Sequence, residues 1–249
     1  MTKVSCIIPA YNEESTIAGV VKTCLKTLEI GEIIVVSDGS TDKTVDRVRQ
    51  IKSKKIKIID LPENHGKGFA VVEGVQKAKY ENLLFLDADL VNLEPHHLSS
   101  LIWPVINNRA DMTIGDWDAG FNPHLRLLSP PLAWYFSGQR CLKKNSIFPH
   151  LKEIEKSQYT IEIFLNELFK NKRVVVVPLV SPKRLHTVKK EKWVGWKKNY
   201  LKENVQLAYA VIKNKNKVYQ KKVRKELIRK LASYFRTTTK KIRQFLEEK

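Results

Sequence analysis

Over the first 115 or so residues the chain switches repeatedly between two hydrophobic patterns. Short apolar runs rich in β-branched residues occupy 4–8, 33–36, 56–59 and 83–86, and runs of this length bounded by turn residues predict buried strands. Between them the apolar residues recur every three or four positions: Ile17, Val20, Val21, Leu25 and Leu28 after a Ser15 cap, then Val45, Val48 and Ile51 from about Asp42, then a stretch over 68–79. That spacing predicts amphipathic helices. Pro9 is expected to stop the first strand. Strands alternating with helices through short loops imply βαβ units and a mostly parallel sheet. Right-handed crossovers then bring every parallel strand's carboxyl end to one edge, where ligands bind. Further on, 111–115 and 174–177 predict two more strands, and 159–165 a helical stretch. The segment 120–131 holds three prolines and a glycine and reads as a loop over the site.

Four polar clusters follow the four early strands: Pro9-Ala10-Tyr11-Asn12-Glu13-Glu14, Ser37-Asp38-Gly39-Ser40, Asn64-His65-Gly66-Lys67-Gly68 and Asp87-Ala88-Asp89. Polar residues at one strand end are ordinary; at four successive ends they make a site. In the last cluster two carboxylates arrive two positions apart, directly after Leu84-Phe85-Leu86. Side chains at i and i+2 of extended chain point the same way, and burying them is costly without a compensating cation. Hard oxygen donors of this kind suit Mg²⁺ or Mn²⁺. The alternative for the same residues is a helix cap at Asp87 and a solvated Asp89. Lys67, flanked by glycines that admit close approach of a ligand, offers an ammonium. Glu162 is a carboxylate inside an apolar helical stretch, a costly position without a task.

Composition narrows the picture. A chain of 249 residues with 43% hydrophobic content supports one sizeable core, or one core and a small appendage. Three scattered cysteines argue against a disulfide scaffold and for a reducing compartment. Neither a signal peptide nor a membrane span is expected from the pattern, which implies a cytoplasmic protein or one at the inner face of a membrane. The net charge is +19, and twenty Lys/Arg against five Glu in residues 187–249 account for +15 of it. Apolar residues at helical spacing within that tail, including Trp193 and Trp196, make the pattern of interfacial helices that meet an anionic membrane. Basic helices packed on a catalytic domain would look alike. A nucleic-acid-binding protein is the reading from another class, but no DNA or RNA module motif is present and the acidic site would have no role.

The four clusters, in this order and spacing, resemble the GT-A-fold glycosyltransferases of family 2 type over roughly residues 3–115. The resemblance implies an α/β fold of GT-A (Rossmann-like) type, a mostly parallel sheet flanked by helices. Residues 1–186 would form the catalytic domain, split into a nucleotide-sugar-binding half (1–115) and an acceptor-side half (116–186), with 187–249 a basic helical extension. It implies a nucleotide-sugar donor, a UDP-sugar in preference to a GDP-sugar, bound by Pro9, Ala10, Tyr11, Glu13, Asp38, Lys67, Asp87 and Ala88. Among these Asp38 would meet the base and Lys67 the diphosphate. It further implies Asp89 as principal metal ligand and His186, just beyond a β run, as another. Glu162 would face the acceptor hydroxyl, as base if the reaction inverts. Arg126, Arg140 and Arg184 are the cations expected near a phosphorylated acceptor. Within the family the chain looks most like glucosyl-3-phosphoglycerate synthases, although their acceptor-loop glycine-arginine-threonine motif is absent. Polyprenyl-phosphate glycosyltransferases, whose acceptor is a lipid phosphate, are the alternative. A homodimer is compatible with either.

Overall fold

In a strand, neighbouring side chains point to opposite faces, so a continuous apolar run supplies two cores at once. In this computed structural model, which describes residues 2–116, 137–157, 161–179 and 186–187, the first strands do so. On β1 (Val4–Ala10) and β2 (Ile30–Asp38), Cys6, Ile8, Ile33 and Val35 enter one hydrophobic cluster, while Ile7, Ile34 and Val36 enter another. The first cluster is closed by Ile17, Val20, Val21 and Cys24 of α1 (Ile17–Lys26), by Val48 of α2 (Thr44–Arg49) and by Leu98, Leu101, Ile102 and Val105 of α4 (Pro95–Ile106). The second is closed by Val71, Val72 and Val75 of α3 (Lys67–Lys77), Ile147 of the short α5 (Lys144–Ile147), Ile154 of α6 (Leu151–Lys156) and Ile161 and Leu165 of α7 (Ile161–Leu168). The result is a sheet covered by helices on both faces.

The remaining strands are β3 (Ile56–Leu61), β4 (Asn82–Phe85), the short β5 (Leu90–Val91), β6 (Met112–Asp116), β7 (Arg140–Lys143), β8 (Val174–Pro178) and the short β9 (His186–Thr187). Seven of them make one sheet in the order β3-β2-β1-β4-β7-β6-β8, and β5 pairs with β9 apart from it. All neighbours in the large sheet are parallel except β7, which runs antiparallel to both β4 and β6. A mostly parallel sheet flanked by helices is therefore the architecture, as the alternating pattern predicts.

Some local expectations are corrected. Pro9 does not end β1: the strand continues, pairing Pro9 with Val36 and Ala10 with Ser37. On the other side β4 ends at Phe85, and Ile7 O takes the last bond there, from Leu86 N–H at 3.1 Å. The proline's missing donor falls where no neighbouring strand would use it. Ser15 does not cap α1. The helix begins at Ile17, and Glu13 O accepts from the N–H groups of both Thr16 and Ile17. Several elements go beyond the expected set, two of them next to the site. In α4, Pro95 sits at the first turn and His97 Nδ1 accepts from Glu94 N–H at 3.1 Å. The other is β7, four residues long, too short to register in a periodicity. All described residues belong to one compact unit, residues 1–193.

Candidate active site

The first three loops at the carboxyl edge are tied to one another by side chain to backbone hydrogen bonds. Asn12, held at φ 55°, accepts from Thr41 N–H (2.8 Å) and Asp42 N–H (3.3 Å), and its own N–H donates to Ser40 Oγ at 3.1 Å. Glu13 N–H donates to Thr44 Oγ1 at 2.7 Å and Glu14 N–H to Asp42 Oδ2 at 3.2 Å. The second loop is joined to the third in the same way. Asp38, 4% exposed, accepts from His65 N–H at Oδ1 (2.9 Å) and from Gly66 N–H at Oδ2 (2.8 Å). Gly39 makes this approach possible: its φ is +67°, and a Cβ there would lie 2.5–2.6 Å from Glu63 C and Asn64 N. Asp38 thus fixes the loop that leads into α3, and its carboxylate retains lone pairs for another donor.

Gly66, at φ 97°, turns the chain so that Lys67 opens α3 beside the end of β4. Lys67 Nζ donates to Asp87 Oδ1 at 2.7 Å and to Glu162 Oε1 at 2.6 Å. Burial works against this ammonium, but the two carboxylates outweigh it and hold its pKa well above the ordinary lysine range. Asp87 Oδ2 is taken too, by Gln139 Nε2 at 2.7 Å. Gly138 packs against that carboxylate so closely that a Cβ would lie 2.3 Å from Oδ1. Asp87 is therefore held on both oxygens by protein groups. Glu162, 7% exposed, begins the first turn of α7 as expected from its place in an apolar stretch.

Asp89 differs from its neighbour. Burial, with the Asp87 and Glu13 carboxylates beside it, pushes the Asp89 carboxyl up to about 7, against the opposing pull of Lys67. A carboxylate whose ionisation is opposed in this way gains most from a bound cation, and its hard oxygens fit Mg²⁺ or Mn²⁺. The pairing of β5 with β9 sets the main chain of His186 opposite Val91, two residues beyond Asp89. The His186 side chain lies outside the described residues, and among those described no three His, Cys, Asp or Glu residues form a metal-holding group.

The other expected site residues fall as follows. Pro9 lines a narrow recess with Lys67, Asp87, Gly138 and Glu162, Ala10 and Ala88 are buried at strand ends, and Tyr11 is 43% exposed. Arg140 does not stand on the surface. It is 1% exposed, with Nε donating to Ser137 O (2.8 Å) and Nη1 to Asn166 Oδ1 (2.6 Å), so it forms part of the wall behind the recess. Arg126 and Arg184 lie outside the described residues, as do the expected loop over the site and the basic tail beyond Thr187. Gln139 and Gly138 fall in Ser137-Gly138-Gln139-Arg140, which resembles a segment that family members place close to donor and acceptor, and Asn12 falls in the first polar cluster, but the bonds these three make in building the site were not foreseen from the sequence. Of these only Asn12 carried a local signal, an asparagine directly after a strand where a left-handed turn suits it.

Comparison with known proteins settles the family. The family description "Glycosyl transferase family 2" matches residues 5–154, more than half of the chain. The chain belongs to glycosyl transferase family 2. A curated relative, a dolichyl-phosphate beta-glucosyltransferase of Drosophila melanogaster, is 42% identical over 100 residues, covering 35% of this chain and 31% of the relative. A poly-beta-1,6-N-acetyl-D-glucosamine synthase of Staphylococcus epidermidis is 37% identical over 91 residues, covering 35% of this chain and 22% of the relative. The matched stretch thus spans less than a third of these family 2 relatives. Among solved structures, glucosyl-3-phosphoglycerate synthase of Mycobacterium tuberculosis in complex with phosphoglyceric acid aligns with TM-score 0.63 at 20% identity, over 84% of this chain and 79% of that one. The same synthase with Mn²⁺, UDP and glucosyl-3-phosphoglycerate aligns with TM-score 0.62 at 20% identity, over 83% and 78%. At this identity the likeness establishes the shared GT-A-like fold of the family 2 chain.

Proposed function

We propose that this family 2 protein transfers a hexose from a nucleotide sugar, a UDP-sugar in preference to a GDP-sugar, to a phosphorylated acceptor. The observation that carries the reading is Lys67, which bridges Asp87, beside the carboxylate Asp89, to Glu162 on the opposite wall of the same recess. Transfer needs the departing diphosphate's charge compensated in a site arranged beforehand. Lys67 supplies one positive group for it, and the loops carrying Pro9, Tyr11, Glu13 and Asp38 are the candidates to bind the nucleoside. Asp89, with His186 as a second ligand, would hold a divalent cation, which when bound would supply Lewis-acid stabilisation of the leaving group. Glu162 receives the acceptor hydroxyl's hydrogen bond, as base if configuration inverts and as an orienting group if it is retained. The Mn²⁺ and UDP complexes of the structurally similar synthase support the donor and metal readings.

For the acceptor, a lipid phosphate is the second reading. It is favoured by the likeness to a dolichyl-phosphate glucosyltransferase and by the +15 charge of residues 187–249. Arg126 and Arg184 remain the candidates to meet the acceptor phosphate. The test is UDP release from UDP-glucose with Mn²⁺, alone and with 3-phosphoglycerate, glycerol 3-phosphate or a polyprenyl phosphate in turn. Metal-dependent release stimulated by one phosphorylated acceptor is expected. Failure to bind any nucleotide sugar in the presence of Mn²⁺ would refute the proposal.

A further inference from the structure

The polar groups behind Lys67 form a closed circuit that begins and ends on one helix. From Glu162 on α7 the hydrogen bonds run to Lys67, to Asp87 and to Gln139. Gln139 Oε1 accepts from Ser137 Oγ at 2.7 Å, which assigns the amide: its nitrogen must face Asp87. From Ser137 the path continues through its carbonyl to Arg140 Nε, and from Arg140 Nη1 to Asn166, one helical turn beyond Glu162. Ser137, Gln139 and Arg140 are all nearly or fully buried, so these bonds are made where water competes little.

We infer that Gln139 is a positioning residue for glycosyl transfer, holding Asp87 so that its other oxygen fixes Lys67 between the donor and acceptor walls. The inference rests on the function proposed above and adds a residue to it. The reason lies in how the Asp87 carboxylate is shared. With Oδ2 engaged by Gln139 and the backbone of Gly138 against it, Oδ1 has one orientation, toward Lys67. Without the amide, the carboxylate regains rotation about its χ2 and Lys67 loses its register against Glu162. A loosened register costs turnover more than ground-state binding, because only the transition state demands the aligned ammonium.

The test is a cycle of Gln139→Met, Asp87→Asn and the double variant, read as turnover of UDP-glucose with Mn²⁺ after thermal melts establish that each variant is folded. Gln139→Met is expected to lower kcat about ten-fold while donor KM moves less than about three-fold, and the double variant to be no slower than Asp87→Asn alone. Multiplying losses, a change confined to KM, or wild-type turnover would each overturn the inference. Ser137→Ala, which frees the amide to turn, should give a smaller loss of the same kind and serves if Gln139→Met does not fold. A second readout does not depend on transfer: acylation of lysines by acetic anhydride, followed residue by residue. Gln139→Met should raise Lys67 labelling several-fold relative to the other lysines, and unchanged labelling would sink the idea. If the wild type turns over no nucleotide sugar, the proposed function falls, and the labelling still decides whether Gln139 positions Lys67.

Discussion

Two aspartates two positions apart have different surroundings and should respond differently to change. Asp87 is shared between Lys67 and Gln139, whereas Asp89 stands partly buried beside other carboxylates with its pKa pushed up to about 7. Between the unfolded value of about 3.9 and this folded value, the native state binds a proton that the unfolded chain lacks. Stability from this group is therefore present at low pH and lost as pH rises through about 7. Without divalent metal, Asp89→Asn should raise the thermal midpoint relative to wild type most at pH 8, less at pH 5, and little below about pH 4. If Mn²⁺ binds at Asp89 it must displace the proton, so wild-type Mn²⁺ affinity should climb up to about pH 7 and then level, a course calorimetry can follow. Asp89→Ala should abolish metal-dependent binding of UDP; wild-type affinity in that variant would remove Asp89 from the metal site. Asp38 makes a different prediction. Asparagine in its place can serve one of the two N–H groups but sets its own NH₂ against the other, so Asp38→Asn should cost about 1–3 kcal/mol in chemical denaturation. Faster hydrogen exchange should accompany that loss at residues 64–68.

At the scale of elements, α3 is the piece that delivers Lys67, and its seat on the sheet is set by a glycine. A Cβ at Gly74 would lie 2.5 Å from Ile7 Cγ2 and 3.4 Å from Val36 Cγ2, both fully buried side chains. Gly74→Ala gains helix propensity of about 0.8–1 kcal/mol. It overpacks an interface where such insertions cost about 1–3 kcal/mol, so a net destabilisation is expected in urea melts. Raised stability would show that α3 shifts without penalty. Gly138 serves the segment before β7. There an added methyl meets Asp87 rather than an apolar side chain, so Gly138→Ala should reduce turnover of nucleotide sugar more than it lowers the melting temperature.

Over the whole chain the charge is spread unevenly, with most of it in the last 63 residues. Residues 187–249 carry +15, leaving +4 for the first 186. No described helix is long and apolar enough to cross a membrane. If the tail holds the protein on an anionic bilayer, each Lys or Arg near the surface contributes about 1 kcal/mol, and binding must fall steeply with salt. Sedimentation with phosphatidylglycerol vesicles should show full-length protein bound at low salt and released at about 1 M, where the Debye length is near 3 Å. Absence of binding at low salt would leave the charge to serve the acceptor or to pack on the catalytic unit.

By itself the sequence determined the alternation of strands and helices and the four polar loops at one sheet edge. Those properties are written locally: β-branched runs in 4–8 and 33–36, helical spacing between them, glycines at 39 and 66 where φ is positive. It also marked Asp87, Asp89 and Glu162, since a charged group next to or within an apolar run is costly unless it has a partner, and Lys67, since the glycines on either side admit a ligand. Which partner each takes was decided by the tertiary structure. Lys67 and Glu162 are 95 positions apart and meet because α3 and α7 close the same face of the sheet. Gln139 reaches Asp87 because β7 runs antiparallel to β4, pairing Arg140 with Phe85 and so bringing residues 137–139 to the carboxyl edge. Strand direction leaves no trace in a four-residue run, since side-chain alternation is the same whichever way the strand runs. The inward turn of Arg140 has the same origin: an arginine reads as surface in a basic chain until the fold sets Ser137 O and Asn166 within its reach.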